Sequence, residues 1–168
     1  MFKRSDELFD EREHIWITID IKNLPSQIIT DLASFITDPD VLDVLADSPN
    51  ASTRLQVAKN VWTLGKTLKR LAKDPIDFIK EEVASHFNTF TETLVELSND
   101  ESERVRSAAV SNLHTPVDTL ILKLFDPCRY VVIAAIQNPK TPKENVKMLI
   151  DSEDFLIAFE ARKRLKKE

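Results

Sequence analysis

Hydrophobic and polar positions recur along this chain at a spacing of 26 residues. The polar residue Asn60 is followed at that spacing by His86, Asn112 and Asn138, which serve as markers of the repeat. Mostly apolar residues precede each marker by two, three and seven positions, and these spacings place them on one face of an α-helix. A period of this length is typical of a solenoid, in which each small unit buries its apolar face against the next copy. The pattern therefore predicts a stack of helical repeats.

A second helix is predicted to follow each marker. A threonine recurs three residues beyond the marker, at Thr63, Thr89, Thr115 and Thr141. In three copies an acid follows the threonine by three residues, which is the capping-box pattern, so we expect these threonines to cap a helix. Pro116 and Pro142 then occupy the first helical position. Leucine or valine recurs five residues beyond the threonine and faces the core, at Leu68, Leu94, Leu120 and Val146. Each repeat is thus predicted to be a helical hairpin.

The recurring aspartates and asparagines have structural interpretations that account for them. Aspartates recur before the longer helices, at Asp74, Asp100, Asp126 and Asp151. A stacked row of carboxylates resembles a metal site, but each lies where a helix must begin, so we expect caps and no metal. An asparagine at a helix end tolerates the left-handed conformation and bonds the backbone of a turn. We therefore interpret the asparagines as structural and His86 as a structural substitute.

These columns together resemble those of a known repeat family. The order Asp-x-x-x-x-Val-Arg-x-x-(Ala/Val), then Asn-x-x-Thr-Pro and Leu-x-x-Leu, is most complete in residues 100–126 and extends over residues 41–151. It resembles the leucine-rich repeat variant family, a relative of the HEAT-like helical solenoids. The resemblance implies a right-handed α-solenoid in which one helix of each repeat is short and often 3₁₀. The founding type of that family carries an iron–sulfur cluster in a separate cysteine-rich segment. This sequence has one cysteine, Cys128, so we expect no cofactor.

The first residues break the repeat. Residues 25–168 are predicted to form the all-α solenoid, and residues 1–24 an N-terminal extension. Within the extension, residues 14–22 alternate in polarity, which predicts a β-strand with candidate pairing residues Ile15, Trp16, Ile17, Ile19 and Ile21. A lone strand needs a mate. A second copy in a homodimer or a partner protein would supply one, and residues 2–9 would supply one in a local hairpin. Alternatively, the segment is an irregular cap whose isoleucines cover the first helices.

Charge is distributed in bands along the chain, whose net charge is −5. Residues 51–73 carry six basic and no acidic groups, whereas residues 1–50 and 74–126 each carry four basic and eleven acidic groups. Residues 127–168 return to a positive balance, with nine basic and six acidic groups. Such alternation suits a protein partner better than a long polyanion.

Basic residues supply the candidate binding positions. Arg54, Lys80 and Arg106 share one column and form either a binding stripe or ion pairs with acids such as Asp74 and Asp100. A second group lies in the basic band and comprises Lys59, Trp62, Lys66, Lys69, Arg70 and Lys73. His86 is a further candidate because it breaks its column. The basic patch 54–73 also supports an alternative function, the binding of nucleic acid.

Several functional classes have no support in the sequence. It contains no glycine-rich phosphate loop, no nucleophile elbow and no zinc-binding His-Glu-x-x-His pattern, so we expect no enzymatic activity. Its apolar runs are too short to cross a bilayer, and its first residues do not resemble a secretory signal. We therefore expect a cytoplasmic, non-enzymatic scaffold that presents a curved helical surface to a protein partner.

Overall fold

The computed structural model describes residues 24–166, which contain eleven α-helices and no strand. The longer helices are α1 (Ser26–Ala33), α3 (Ala51–Lys59), α5 (Asp77–Ser85), α7 (Glu103–Ser111), α9 (Arg129–Gln137) and α11 (Phe155–Lys166). The shorter helices are α2 (Pro39–Leu45), α4 (Gly65–Leu71), α6 (Thr91–Leu97), α8 (Val117–Lys123) and α10 (Lys143–Lys147). The all-α prediction is confirmed for this range. The strand predicted for residues 14–22 lies outside the described residues.

The helices form two layers. Each longer helix packs against the longer helix of the next repeat. The shorter helices α4, α6 and α8 contact the longer helices on both sides of them, and α2 and α10 contact the longer helix that follows. The result is the predicted stack of helical hairpins, with one layer of longer helices and one of shorter helices. Residues 26 positions apart therefore occupy equivalent places in neighbouring repeats.

The apolar columns read from the sequence form the core. In the shorter helices the fully buried column is Leu42, Leu68, Leu94, Leu120 and Val146. In the longer helices the marker-minus-three column is equally buried, at Val57, Val83, Ala109 and Ala135. Truncating a leucine in such a core to alanine costs about 2–5 kcal/mol, so the register of each hairpin is fixed by packing.

The shorter helices differ from the 3₁₀ conformation that the family resemblance implied. Most of them are seven-residue α-helices, and α10 has five residues. The amide of Leu68 donates to the carbonyl of Leu64 at 3.0 Å, and that of Leu120 to Pro116 at 3.0 Å. Both are bonds over four residues, which define the α-helix. The prediction that these helices are short is confirmed.

The predicted threonine caps are wrong. Each threonine hydroxyl instead donates to a carbonyl six residues back, as Thr89 does to Val83 at 2.5 Å and Thr63 to Val57 at 2.6 Å. Those carbonyls lie in the last turn of the longer helix, where backbone acceptors lack an intrahelical partner. The N-cap residue is the one that follows the threonine, so Pro116 takes the cap position instead of the first helical position.

The marker asparagines link each turn to the preceding repeat. The Asn112 amide donates to the carbonyls of Ala84 at 2.8 Å and His86 at 3.1 Å, and its oxygen accepts from the amide of His114 at 2.9 Å. Asn138 and Asn60 make equivalent bonds. These contacts confirm that the asparagines satisfy turn backbone. The tolerance of asparagine for the left-handed conformation is not used here, because the markers have φ between −73° and −62° and an extended ψ.

Candidate partner-binding surfaces

The basic column at Arg54, Lys80 and Arg106 is engaged in ion pairs between neighbouring repeats. Arg106 Nε and Nη2 each lie 3.0 Å from a carboxylate oxygen of Asp126, and both side chains are largely buried, with 14% and 3% exposed. Arg54 pairs with Asp74 at 2.6 Å, and Lys80 pairs with Asp100 at 2.6 Å. The ion-pair interpretation of this column is therefore confirmed for all three residues.

The aspartates of these pairs have a second structural task. The Asp126 carboxylate accepts from the backbone amide of Cys128 at 3.0 Å, and Asp74 and Asp100 do the same two residues ahead. These bonds order the turn before the next longer helix, two residues ahead of its N-cap. The prediction that these aspartates are helix caps is therefore wrong for Asp74, Asp100 and Asp126, because the N-cap residues are Ile76, Ser102 and Cys128.

The ion pairs perturb the proton affinity of their members. The hydrogen bond to Asp126 raises the pKa of Arg106 against the opposing effect of burial. Burial disfavours the charge on Asp126, but the bonds from Arg106 and the Cys128 amide outweigh burial and lower the pKa of the carboxyl. For Lys80, burial is likewise outweighed by hydrogen bonds to Asp100 and Asp77, so its pKa is raised. Each of these pKa shifts favours the charged form of Arg106, Asp126 or Lys80, which keeps the pairs intact.

His86 takes the place of a marker asparagine in the column of residues that bond each turn to the preceding repeat. Its Nε2 lies 2.9 Å from the carbonyl of Asn60, and its Nδ1 accepts from the amide of Asn88 at 3.0 Å. Burial lowers the pKa of the imidazole, against the raising effect of the bond to Asn60. Both ring nitrogens are engaged within the protein, so the structure gives His86 the structural role of an asparagine.

The basic band does not form one continuous surface. Lys59 lies on the longer helix α3 and pairs with Glu82 at 3.4 Å, whereas the other lysines and Arg70 lie on or after the shorter helix α4. On that layer Lys66 pairs with Asp40 at 3.7 Å, and Arg70 pairs with Asp43 at 3.2 Å. Lys69 and Lys73 are exposed and have no ion pair with another described residue. Four of the six cations in residues 54–73 are therefore matched by acids.

An exposed apolar row follows the turns between the two layers. Its members directly follow the marker position in successive repeats, and we call them the turn row: Phe35, Val61, Phe87 and Leu113. Between 57% and 79% of each residue is exposed. Trp62, one of the predicted binding residues, lies next to this row and is 54% exposed. Large apolar side chains repeated in register on a surface are typical of a binding site.

A shallow depression of about 470 Å³ crosses the face of the longer helices. Its lining includes small side chains of α7, such as Ser107 and Ala108, together with Glu81 and Tyr130. Arg104 lies at its edge with its guanidinium 5.4 Å from the centre of the Phe78 ring. One carboxylate oxygen of Glu81 is buried and has no hydrogen-bond partner among the described residues.

The face of the shorter helices carries a second apolar cluster. Leu122, Phe125 and Met148 are between 63% and 70% exposed, and we call them the short-helix patch. Beside them runs an acidic row of equivalent residues, Glu92, Asp118 and Glu144, which are also exposed. No ion pair within residues 24–166 involves these three acids, in contrast to the matched charges of α2 and α4.

Residues 24–166 contain no group of three or more histidine, cysteine, aspartate or glutamate side chains arranged to hold a metal ion. None of the helices described is both long and apolar enough to cross a membrane.

The turn row could have been recognised from the sequence, although the basic residues were the more conspicuous candidates. The position after each marker is occupied by a large apolar residue in four consecutive repeats, although it belongs to no buried helix face. Such a column signals an exposed apolar surface. By contrast, the short-helix patch becomes evident only when Leu122 and Met148 are seen on neighbouring helices of one layer.

Fold and surface together define a helical-repeat solenoid. The chain is similar to a solved structure described as a leucine-rich repeat variant with a novel repetitive protein structural motif. The two share 20% sequence identity with a TM-score of 0.70, over 86% of this chain and 57% of the other. The chain thus has the fold of the leucine-rich repeat variant and spans little more than half the length of that structure. No protein-family model and no curated protein matches the chain.

Proposed function

We propose that this chain is a non-enzymatic scaffold that binds a protein partner through its exposed apolar surface. The turn row is the observation that carries the proposal. Because its residues are exposed, they stabilise the fold much less than the buried core residues do. Exposed apolar side chains also lower solubility unless a partner covers them. The recurring polar residues, which could otherwise serve as ligands, already bond to neighbouring repeats.

Binding of nucleic acid is the weaker alternative. It would require a continuous set of unpaired cations to displace the counterions of a phosphate backbone. The cations of residues 54–73 lie on two layers, and acids match four of them. Unmatched acids such as Glu92 and Asp118 would also repel phosphate.

A quantitative capture experiment tests the proposal. The wild-type protein and the variant Val61→Ser/Phe87→Ser/Leu113→Ser are used as baits in extracts of the native host, with and without nuclease treatment. We expect the wild type to retain a discrete set of proteins that the variant loses. The variant Ser85→Ala/Ser111→Ala, which changes exposed residues of the same repeats, serves as the matched control and keeps them. Equal retention by all three baits would contradict the proposal, and retention that nuclease abolishes would favour nucleic acid.

Homodimerisation through residues 14–22 is a separate proposal that rests on their alternating pattern. Deletion of residues 1–24 is expected to reduce the mass in sedimentation equilibrium from dimer to monomer. An unchanged mass together with unchanged partner binding would remove this proposal.

A further inference from the structure

We propose that the short-helix patch binds an amphipathic helix of a partner protein whose apolar anchors are flanked by lysine or arginine. This inference rests on the proposed protein-binding function, but it concerns a surface different from the turn row. It follows from the contrast between two halves of the same layer.

In the first half of the layer, charge is matched internally. The acids of α2 face the cations of α4, so that Asp40 pairs with Lys66 and Asp43 with Arg70, which also pairs with Asp47 just after α2. In these ion pairs the charged ends of the side chains contact one another. The acids of that half are therefore matched, and the charge left there without an ion pair to another described residue is the positive charge of Lys69 and Lys73.

In the second half, the equivalent positions change character. The column that holds Lys66 in α4 holds Glu92, Asp118 and Glu144 in α6, α8 and α10. The column that holds Arg70 becomes Glu96, Leu122 and Met148. Cations are replaced by acids in one column and mainly by apolar residues in the other, so the internal pairing of the first half is not repeated.

The acids and the apolar side chains lie directly beside one another. Asp118 and Leu122 are four residues apart on α8, and Met148, the C-cap residue of α10, follows Glu144 by four residues, so each pair shares one face. Phe125, three residues beyond Leu122, extends the apolar cluster. The surface is therefore an apolar strip bordered on one side by carboxylates.

The spacing of this strip suits an α-helix lying across the repeats. Neighbouring packed helices are about 8–10 Å apart, and side chains seven residues apart on a partner helix are separated by about 10 Å. Leucines at that interval would contact Leu122 and Met148 in turn. Basic residues on the flank of such a helix would face the acidic row, which gives the charge complementarity that selects a cationic partner.

A pair of designed helical peptides tests the inference. Both carry leucine on one face at heptad spacing, and one carries lysine and arginine on its flanks where the other carries glutamate. Fluorescence anisotropy with the full chain is expected to show the cationic peptide binding at least about tenfold more tightly than the acidic one. The variant Leu122→Ser/Phe125→Ser/Met148→Ser should weaken cationic binding by about tenfold or more.

Further variants separate charge from apolar contact. Glu92→Gln/Asp118→Asn/Glu144→Gln is expected to weaken the cationic peptide severalfold and to reduce its salt dependence. The turn-row variant Val61→Ser/Phe87→Ser/Leu113→Ser should bind the peptide as the wild type does. Because the patch residues are exposed, their variants should keep the wild-type melting temperature. The single variant Leu122→Ser provides the same test if the triple variant unfolds.

Three outcomes would overturn the inference. The first is equal affinity for both peptides, or affinity that the patch substitutions leave unchanged. The second is a concentration-dependent mass of the free protein that those substitutions abolish, which would make the patch an interface between copies. The third is binding to phosphatidylcholine vesicles that the substitutions abolish, which would make it a lipid-binding surface. None of these affects the capture experiment on the turn row, so the two proposals fail independently.

Discussion

His86 Nε2 lies 2.9 Å from the carbonyl oxygen of Asn60, one repeat earlier in the stack. Because a carbonyl only accepts, Nε2 must carry the proton of the neutral ring, and Nδ1 is left to accept from the Asn88 amide. Protonation of Nδ1 would place two donors against each other. The relationship explains how a histidine substitutes for an asparagine and why it must stay neutral.

The lowered pKa of His86 predicts a pH-dependent stability. Since burial lowers this pKa below the unfolded value of about 6.5, the unfolded chain binds more protons between the two values. The stabilisation is complete above about pH 6.5 and is lost as the pH falls toward the folded pKa. Between about pH 7.5 and about pH 5.5, the free energy of unfolding measured with denaturant should fall less in His86→Asn than in the wild type. An equal fall in the free energy of unfolding in the two proteins would contradict the role of a neutral His86 that bonds to Asn60 and Asn88.

The Arg106–Asp126 pair predicts a strong effect of removing one charge. Arg106→Ala leaves the buried Asp126 with the more distant Lys123, at 3.6 Å, as its remaining cation and is expected to lower the free energy of unfolding by about 1–3 kcal/mol. Arg106→Lys should lose less, because Lys80 forms the equivalent pair with Asp100. The exposed Arg70 provides a control, and Arg70→Ala should cost no more than about 1 kcal/mol. Chemical denaturation measures all three variants, and a wild-type stability of Arg106→Ala would refute the structural role.

The bonds that the marker asparagines make to the preceding repeat predict that removing one of these neutral side chains also lowers stability. Asn112→Ala leaves the carbonyls of Ala84 and His86 without their side-chain donor and should cost about 2–3 kcal/mol. Asn99 is an exposed asparagine just before this repeat, so Asn99→Ala serves as the control and should cost less than about 1 kcal/mol. Calorimetric melting of the two variants checks this prediction. Similar melting temperatures for both would show that these bonds contribute little.

A side chain at Gly65, the sole glycine of the sequence, is expected to clash with its neighbours. A Cβ atom at this position would lie 2.5 Å from Cε1 of Phe90 and 2.8 Å from the backbone oxygen of Asn88. Gly65→Ala is therefore expected to destabilise the protein by about 1–3 kcal/mol. In the background Phe90→Ala the cost should fall but not vanish, because the backbone contact remains. A double-mutant cycle measured by denaturation checks this, and an equal cost in both backgrounds would exclude the ring contact.

The core could be predicted from the sequence, whereas the roles of several polar side chains could not. Leu68 and Leu120 were assigned to the core correctly because a strict period fixes which helix face is buried. Thr115 was misread because Thr-Pro followed by an acid fits the capping pattern. Its true acceptor, the carbonyl of Ala109, depends on how the chain reverses after the helix.

The candidate site illustrates a second limit of sequence reasoning. Lys59 and Lys66 are close in sequence but lie on different layers, so a basic run did not become a basic surface. Acids that match these cations come from neighbouring repeats, more than 20 residues away in sequence. Only the stack reveals these pairings and leaves the apolar rows as the better binding candidates.

Site-specific photocrosslinking tests most directly the central claim that the turn row faces a protein partner. Benzoylphenylalanine is placed singly at Phe35, Val61, Phe87 and Leu113 in the native host, and at the exposed control positions Gln27, Glu101 and Glu153. We predict that one discrete protein crosslinks at several neighbouring turn-row positions and at none of the controls. The absence of any crosslink along the row, or equal crosslinking at the control positions, would contradict the claim.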